Sequence, residues 1–432
     1  MKKIIKILHV FLLAVILSVI VFSPVQAEAV IPLSGPKGSG SFSSSIAVLP
    51  NGNLLVAGPT YSSVTVSDIG AVYMYDSYLT LINTFTGSHA GDEVGSGGFH
   101  VLSDGNFLVM SPLWANGSTT QAGAITWCPE TTSCSGVVSL SKSLAGTHAG
   151  EQLTQGWINQ LTDGNYVLDF PDWTNGTATK AGAVMWCSET SGCKGTISAS
   201  NSLVGTQSND QVGFSWYGYV GGGGGESMII PLPGGAYLVS SMYWANGSQT
   251  VAGEVTWCAG GSGSCVGTIS ATNSLVGTHT NDSIGNRQIY ILPNGSAVID
   301  SRDWDNSFGA VTWCGNQAGC KGEVSASNSL VGSHANDRIG YIDSYFATDW
   351  YVVLGYYWQD TSTGQQGSVT LCSEATGLPT GYINFRNSVL GPFSNYYFNP
   401  VNQEMIVSFP NENMVKIFGF DFPIIYLPLV IH

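Results

Sequence analysis

The sequence predicts an all-β protein, a seven-bladed β-propeller built from four-stranded antiparallel blades. Three observations predict it. A unit of about 55–60 residues recurs along the chain, and repetition at that period marks a stacked architecture. Each unit carries hairpin turn signals between β-branched and aromatic runs. Charged residues make up only 9% of the chain while Gly reaches 55 residues, a composition of short strands and many turns. No helical periodicity follows the N-terminal segment.

The first hairpin turn of each unit recurs as Asn51-Gly52-Asn53, Asp104-Gly105-Asn106, Asp163-Gly164-Asn165, Gly234-Gly235 and Asn294-Gly295, with degenerate copies at Ala347-Thr348-Asp349 and Asn402-Gln403. Asn-Gly and Asp-Gly readily take the positive φ of tight hairpins. The strand after the turn reads Phe107-Leu108-Val109-Met110, Tyr166-Val167-Leu168, Tyr237-Leu238-Val239 and Tyr351-Val352-Val353-Leu354. A third strand ends at Trp127, Trp186, Trp257 and Trp313. The fourth carries Ser143-Leu144-Ala145-Gly146, Ser202-Leu203-Val204-Gly205 and their later copies. Four short antiparallel strands per unit make a propeller blade. The units fall near 36–87, 88–146, 147–205, 206–277, 278–332, 333–391 and 392–421, within a propeller spanning 28–421.

The seventh unit lacks a fourth strand, and Ile31-Pro32-Leu33-Ser34-Gly35 resembles the missing one. A closing strand at 30–35 would join the ring and leave no open edge. The apolar tail 422–432 offers a competitor at Ile424 to Val430, weakened by Pro428. An open parallel β-solenoid is the alternative fold; it favours shorter coils and needs terminal caps.

Residues 1–27 read as a signal peptide. Lys2, Lys3 and Lys6 precede an apolar run from Ile7 to Phe22, and Val25-Gln26-Ala27 supplies a cleavage site. Beyond Ala27, ten basic residues face 28 acidic ones, net −18. That balance argues against nucleic acid or an anionic membrane as partner. No membrane span is expected after signal cleavage.

Eight of the nine cysteines form local couples: Cys128-Cys134, Cys187-Cys193, Cys258-Cys265 and Cys314-Cys320. Strands joined by such short turns bring Cβ atoms within bridging distance, and an oxidising compartment keeps the bonds closed. Zinc is the rival, but no couple is Cys-x-x-Cys and no His follows at ligand spacing. Cys372 meets Leu378 where its partner would stand, so a free thiol is expected there.

Units such as His89-Ala90-Gly91-Asp92-Glu93-Val94-Gly95, then Asp104-Gly105-Asn106 and Gly123-Ala124-Ile125-Thr126-Trp127, resemble FG-GAP repeats of integrin-α-type propellers. They are still more similar to a bacterial extracellular repeat family of unassigned activity, built on Ser-Leu-Val-Gly-Thr-x-x-Asn-Asp-x-Val-Gly. The resemblance covers about residues 30–420 and implies a seven-bladed propeller. FG-GAP blades often carry a calcium loop with alternating Asp residues. Here Asp104 and Asp163 supply one carboxylate each, and Asn51, Gly234 and Asn294 none, so the calcium sites are not carried over. The tail Ile425 to Val430 also resembles a terminal segment of other secreted bacterial proteins.

Histidines 89, 148, 279 and 334 recur with Asp92, Glu151, Asp282 and Asp337 three residues on; Gln207 and Asp210 hold the same register. One His per blade sits too far from the next to share an ion, so turn architecture is expected rather than metal. Trp114, Trp173, Trp244, Trp304 and Trp358 precede polar turns. Exposed, they would form a sugar-binding surface; buried, they would wedge between blades, the reading repetition favours. Trp127, Trp186, Trp257 and Trp313 are expected to pack against their own disulfides. The insertion from Trp216, Tyr217 and Tyr219 to Glu226 breaks the repeat and is the leading contact loop.

No catalytic motif is present: there is no Gly-x-Ser-x-Gly, no His-Glu-x-x-His and no phosphate loop. Asp169 and Asp300 share a register and read as loop acids. No cofactor, metal or catalytic residue is assigned. The expected function is a secreted or cell-surface binding or adhesion protein for a glycan or an extracellular protein. The alternatives are a carbohydrate-active enzyme using funnel acids, tested by incubation with polysaccharides, and a structural surface-layer component, tested by self-assembly.

Overall fold

The computed structural model describes residues 31–419 apart from 216–225, 317, 344–349, 361–363, 365 and 400. The signal peptide, the turn at 347–349, the insertion core and the apolar tail lie outside the described residues. The chain divides into units 1–36 and 37–432. In the first, the described residues 31–36 form neither strand nor helix, so the expected closing strand is not formed at Ile31–Gly35. Pro32 explains part of this, since it cannot donate to a ladder.

The second unit is nearly all β. Among the described residues it holds seven sheets of three to five strands and one two-stranded ladder, Phe214–Ser215 with Glu226–Ser227. The second sheet is representative: Gly98–Val101, Phe107–Ser111, Ala124–Cys128 and Ser143–Ala145 run antiparallel in chain order. The first hairpin of each of the first five sheets turns at the expected glycine, Gly105 and Gly164 having φ of 88° and 90°. That left-handed region is where a Cβ is costly.

A fifth strand joins each of the first five sheets, and the sequence reading missed it. Gly136–Val137, after the second unit's cysteine turn, pairs parallel with Leu81–Thr86 of the first sheet. Gly195–Thr196, Gly267–Thr268, Gly322–Glu323 and Gly381–Tyr382 repeat the arrangement. Each sheet thus borrows an outer edge from the following unit, which covers a strand edge otherwise open to pairing.

The core lies between sheets. Alternation along each strand sends one side-chain set to each neighbour. Leu55, Val72 and Phe85 of the first sheet meet Phe107, Val109 and Ala145 of the second in one cluster. Leu108 and Leu144 of the second meet Leu168 and Val204 of the third. Four further clusters join the remaining consecutive pairs, ending with Leu354 and Leu371 of the sixth sheet against Met405, Val407 and Phe409 of the seventh. Buried hydroxyl pairs tie third to fourth strands at 2.6–2.7 Å: Thr126 with Ser143, Thr256 with Ser274, Thr312 with Ser329 and Thr370 with Ser388.

Among the described residues, helix is confined to single turns. The longest, Trp304–Ser307, contains Asp305 and Asn306 at positive φ and replaces the Trp-x-Asn-Gly loop of other units. No helix among the described residues is long and apolar enough to cross a membrane.

Candidate functional site

The recurring acids organise turns. Asp282 accepts the N–H groups of Thr278 and His279 on one oxygen, both at 2.8 Å, and that of Asp305 on the other, also at 2.8 Å. Asp92 and Asp210 repeat this with Ser88, His89 and Ala115, and with Thr206, Gln207 and Ala245. Asp337 accepts from Ser333 and His334. A buried carboxylate so placed satisfies three orphan donors. The histidine rings stand to one side, His279 being half exposed.

Trp114, Trp173, Trp244, Trp304 and Trp358 are buried, at 4–6% exposure. Each belongs to the cluster between its own sheet and the preceding one. These five are wedges, and the sugar-surface alternative for them is corrected: at 4–6% exposure they form no open platform. The neighbouring amides are structural too, since Asn116, Asn175 and Asn246 donate to the carbonyls of Gly146, Gly205 and Gly277. Trp216, Tyr217 and Tyr219 lie outside the described residues.

All four disulfides form as expected, with Cα–Cα separations of 4.7–5.4 Å. Cys372 is a buried free thiol, and burial pushes its pKa up. The tryptophans preceding the cysteines differ from expectation in one respect: they pack against the cysteine turn of the next unit. A Cβ built at Gly192 would fall 2.3 Å from Cβ of Trp127, and one at Gly319 would fall 2.3 Å from Cβ of Trp257. Gly377 lies in the same way against the Trp313 ring. Trp127 also donates its indole N–H to the carbonyl of Glu189 at 2.7 Å.

Trp186 breaks this series. The cysteine turn of the fourth unit, Cys258–Cys265, spans seven positions where the others span six, and Gly263 within it has no atom close to where a Cβ would stand. A groove of about 440 Å³ opens instead between the cysteine turns of the third and fourth units. It is lined by Met185, Trp186, Ser188, Ser191, Lys194, Ser200, Asn201, Ser262 and both disulfide turns. The indole nitrogen of Trp186, like those of Trp257 and Trp313, is buried without a hydrogen-bond partner. One indole, several hydroxyls, an amide and an ammonium in one concave site can hold a polar ligand with an apolar face. The signal available in the sequence was the extra residue between Cys258 and Cys265.

Asp169 and Asp300 do not act as loop acids. They lie inside the strands Tyr166–Phe170 and Ala297–Ser301 and are fully buried. Gly213 and Gly340 leave them room: a Cβ at either would sit 2.2 Å from a carboxylate oxygen. Burial pushes Asp169 well above the usual range, with the Ser227 hydroxyl pulling it partly back. Burial likewise raises Asp300 to about 7, opposed by the guanidinium of Arg302, which contacts it at 2.6 Å and lies over the Tyr341 ring at 4.1 Å. Neither carboxyl reaches solvent. Glu254 is a third buried acid. It takes hydrogen bonds from Ser241 and Thr256, both at 2.5 Å, and burial raises it to about 8.

These features define an all-β repeat protein with disulfide-pinned turns, in which repeated polar residues build the scaffold. Five copies of one repeat match residues 101–155, 160–214, 231–286, 291–341 and 346–397, and the chain belongs to that family, described as a repeat of unknown function (DUF5650). The first four strands of the first sheet and most of the seventh sheet lie outside the matched residues. No curated protein matches the chain. Among solved structures, a eukaryotic initiation factor is similar at 12% identity and a TM-score of 0.31, covering 92% of this chain and 88% of that one. Hydrazine synthase of Kuenenia stuttgartiensis is similar at 11% identity and a TM-score of 0.24, covering 90% and 99%. At these values neither likeness extends to function.

Proposed function

We propose that this chain is a secreted, non-enzymatic glycan-binding protein whose seven sheets close into a seven-bladed propeller. The groove at Trp186 carries the functional reading. It occurs where one cysteine turn departs from the repeat, and its lining combines an indole with the hydroxyl, amide and ammonium groups that recognise sugar hydroxyls. Four disulfides are compatible with an extracellular location. Closure is supported by consecutive packing of the seven sheets. Closure would cover the apolar faces at the two ends, where Ile46 is 63% exposed on the first sheet and Tyr397 65% on the seventh.

The test is a glycan array probed with the secreted protein and with Ser262→Trp, which fills the groove from an exposed position. Binding by the parent and its loss in the variant, at an unchanged melting temperature, support the reading. Equal binding by both overturns the groove as the site. The triple variant at Trp216, Tyr217 and Tyr219, each changed to Ala, separates a contribution from the insertion.

A further inference from the structure

We propose that the third unit holds a second, smaller site, a pocket at Glu151 that takes a primary ammonium group. Glu151 stands where four other units have Asp92, Asp210, Asp282 and Asp337. Its Oε2 still accepts the turn N–H groups of Thr147 and His148, at 2.6 and 3.1 Å. Its Oε1 is buried without a hydrogen-bond partner, and the side chain is only 5% exposed. In three of the Asp units the corresponding oxygen accepts the N–H of the residue after the loop tryptophan. The extra methylene of Glu forfeits that bond. The His148 imidazole stands 3.6 Å from Oε1 and has the Thr147 hydroxyl at 3.1 Å from its Nδ1.

A second departure from the repeat accompanies a pocket that Glu151 lines. Thr154 replaces the glycine found at 95, 213, 285 and 340, and Leu153–Gln155 form a 3-10 turn. The pocket has a volume of about 80 Å³, with walls from Trp157, Phe170, Pro171 and Trp173. Asp172 at its rim is held by Lys180 at 3.0 Å. A carboxylate oxygen lacking a donor, enclosed by aromatic walls, matches the chemistry of an alkylammonium: N–H donors for the oxygen and a cation for the ring faces. The volume admits an aminomethyl tip rather than a whole sugar ring, so a lysine side chain is the favoured source, and an amino sugar, whose ammonium sits on the ring itself, is the alternative that the test separates. The site is independent of the Trp186 groove.

The experiment titrates the purified full-length mature protein with methylammonium chloride, following tryptophan fluorescence, with sodium chloride and tetramethylammonium chloride at matched ionic strength. Methylammonium is expected to give a saturable change and the two controls none. Glucosamine and lysine are then compared to decide the source. Glu151→Gln is expected to weaken methylammonium binding about tenfold or more, the scale of a lost charge-assisted hydrogen bond. Trp157→Ala, which leaves the turn bonds of Glu151 intact, is expected to weaken it as well and decides the matter if Glu151→Gln does not fold. No saturable response, the same response to sodium, or undiminished binding in the folded variants would overturn the proposal.

Discussion

Gly192 lies against Trp127: a Cβ built on this glycine would fall 2.3 Å from Cβ of the tryptophan one unit earlier, and its φ is 64°. The contact couples the disulfide turn of the third unit to the third strand of the second. Gly192→Ala therefore meets both a steric clash and a left-handed backbone, and is expected to cost about 2–4 kcal/mol in urea unfolding. Gly263→Ala, at φ 77° with open space around it, meets only the backbone penalty, about 1 kcal/mol. Equal costs would show that the groove at Trp186 is not open in solution.

The pairing of His279 with Asp282 gives a second contrast. Asp282 accepts three backbone N–H groups while buried, and the histidine ring is half exposed. Asp282→Ala leaves those donors unpaired and is expected to destabilise by about 3–5 kcal/mol. His279→Ala is expected to stay within about 0.5 kcal/mol. A comparable loss from both, measured by chemical unfolding, would return the histidines to a role beyond the turn.

Much of this scaffold was legible because its determinants are local. Asp104-Gly105 and Asp163-Gly164 announce their hairpins through the φ that glycine tolerates, and the cysteine couples lie six or seven positions apart on adjoining strands. The parallel strand at Gly136–Val137 was not legible. It has two residues, no turn marks it, and its partner belongs to the previous unit. Burial of Trp114 and its copies was open on sequence alone, since an indole suits either a ring-face platform or a wedge. The burial of Asp169 depends on Gly213, 44 positions later, withholding a side chain. The Trp186 groove was visible only as one surplus residue, whose effect rests on how neighbouring turns meet.

Glu254 predicts a pH dependence. Its folded pKa is raised to about 8 by burial, above its ordinary value of 4.5. Between those values the folded state holds a proton that the unfolded chain releases, so stability falls as pH rises. The loss begins near pH 4.5 and levels off above about 8. Glu254→Gln keeps the shape of the network with Ser241 and Thr256 while removing the titration. Urea unfolding at pH 5 and pH 8 is expected to show a smaller difference for the variant than for the parent. An identical difference in both would mean Glu254 stays ionised when folded.

The proposed closure of the seven sheets has a hydrodynamic consequence. Ile46 and Val48 alternate with Ala47, which faces the second sheet, so they point away from it. Tyr397, Val415 and Ile417 likewise point away from the sixth sheet, because Tyr396, Phe398, Met414 and Phe418 pack toward it. An open series would leave both faces in water, and exposed apolar faces of that kind drive association. A closed ring brings them together in one copy. For roughly 400 compact residues the radius of gyration is expected to be about 22 Å. Small-angle scattering of the mature protein at a monomeric mass with that value supports closure. A larger radius with an elongated distance distribution, or a mass that rises with concentration, shows that the end sheets are open.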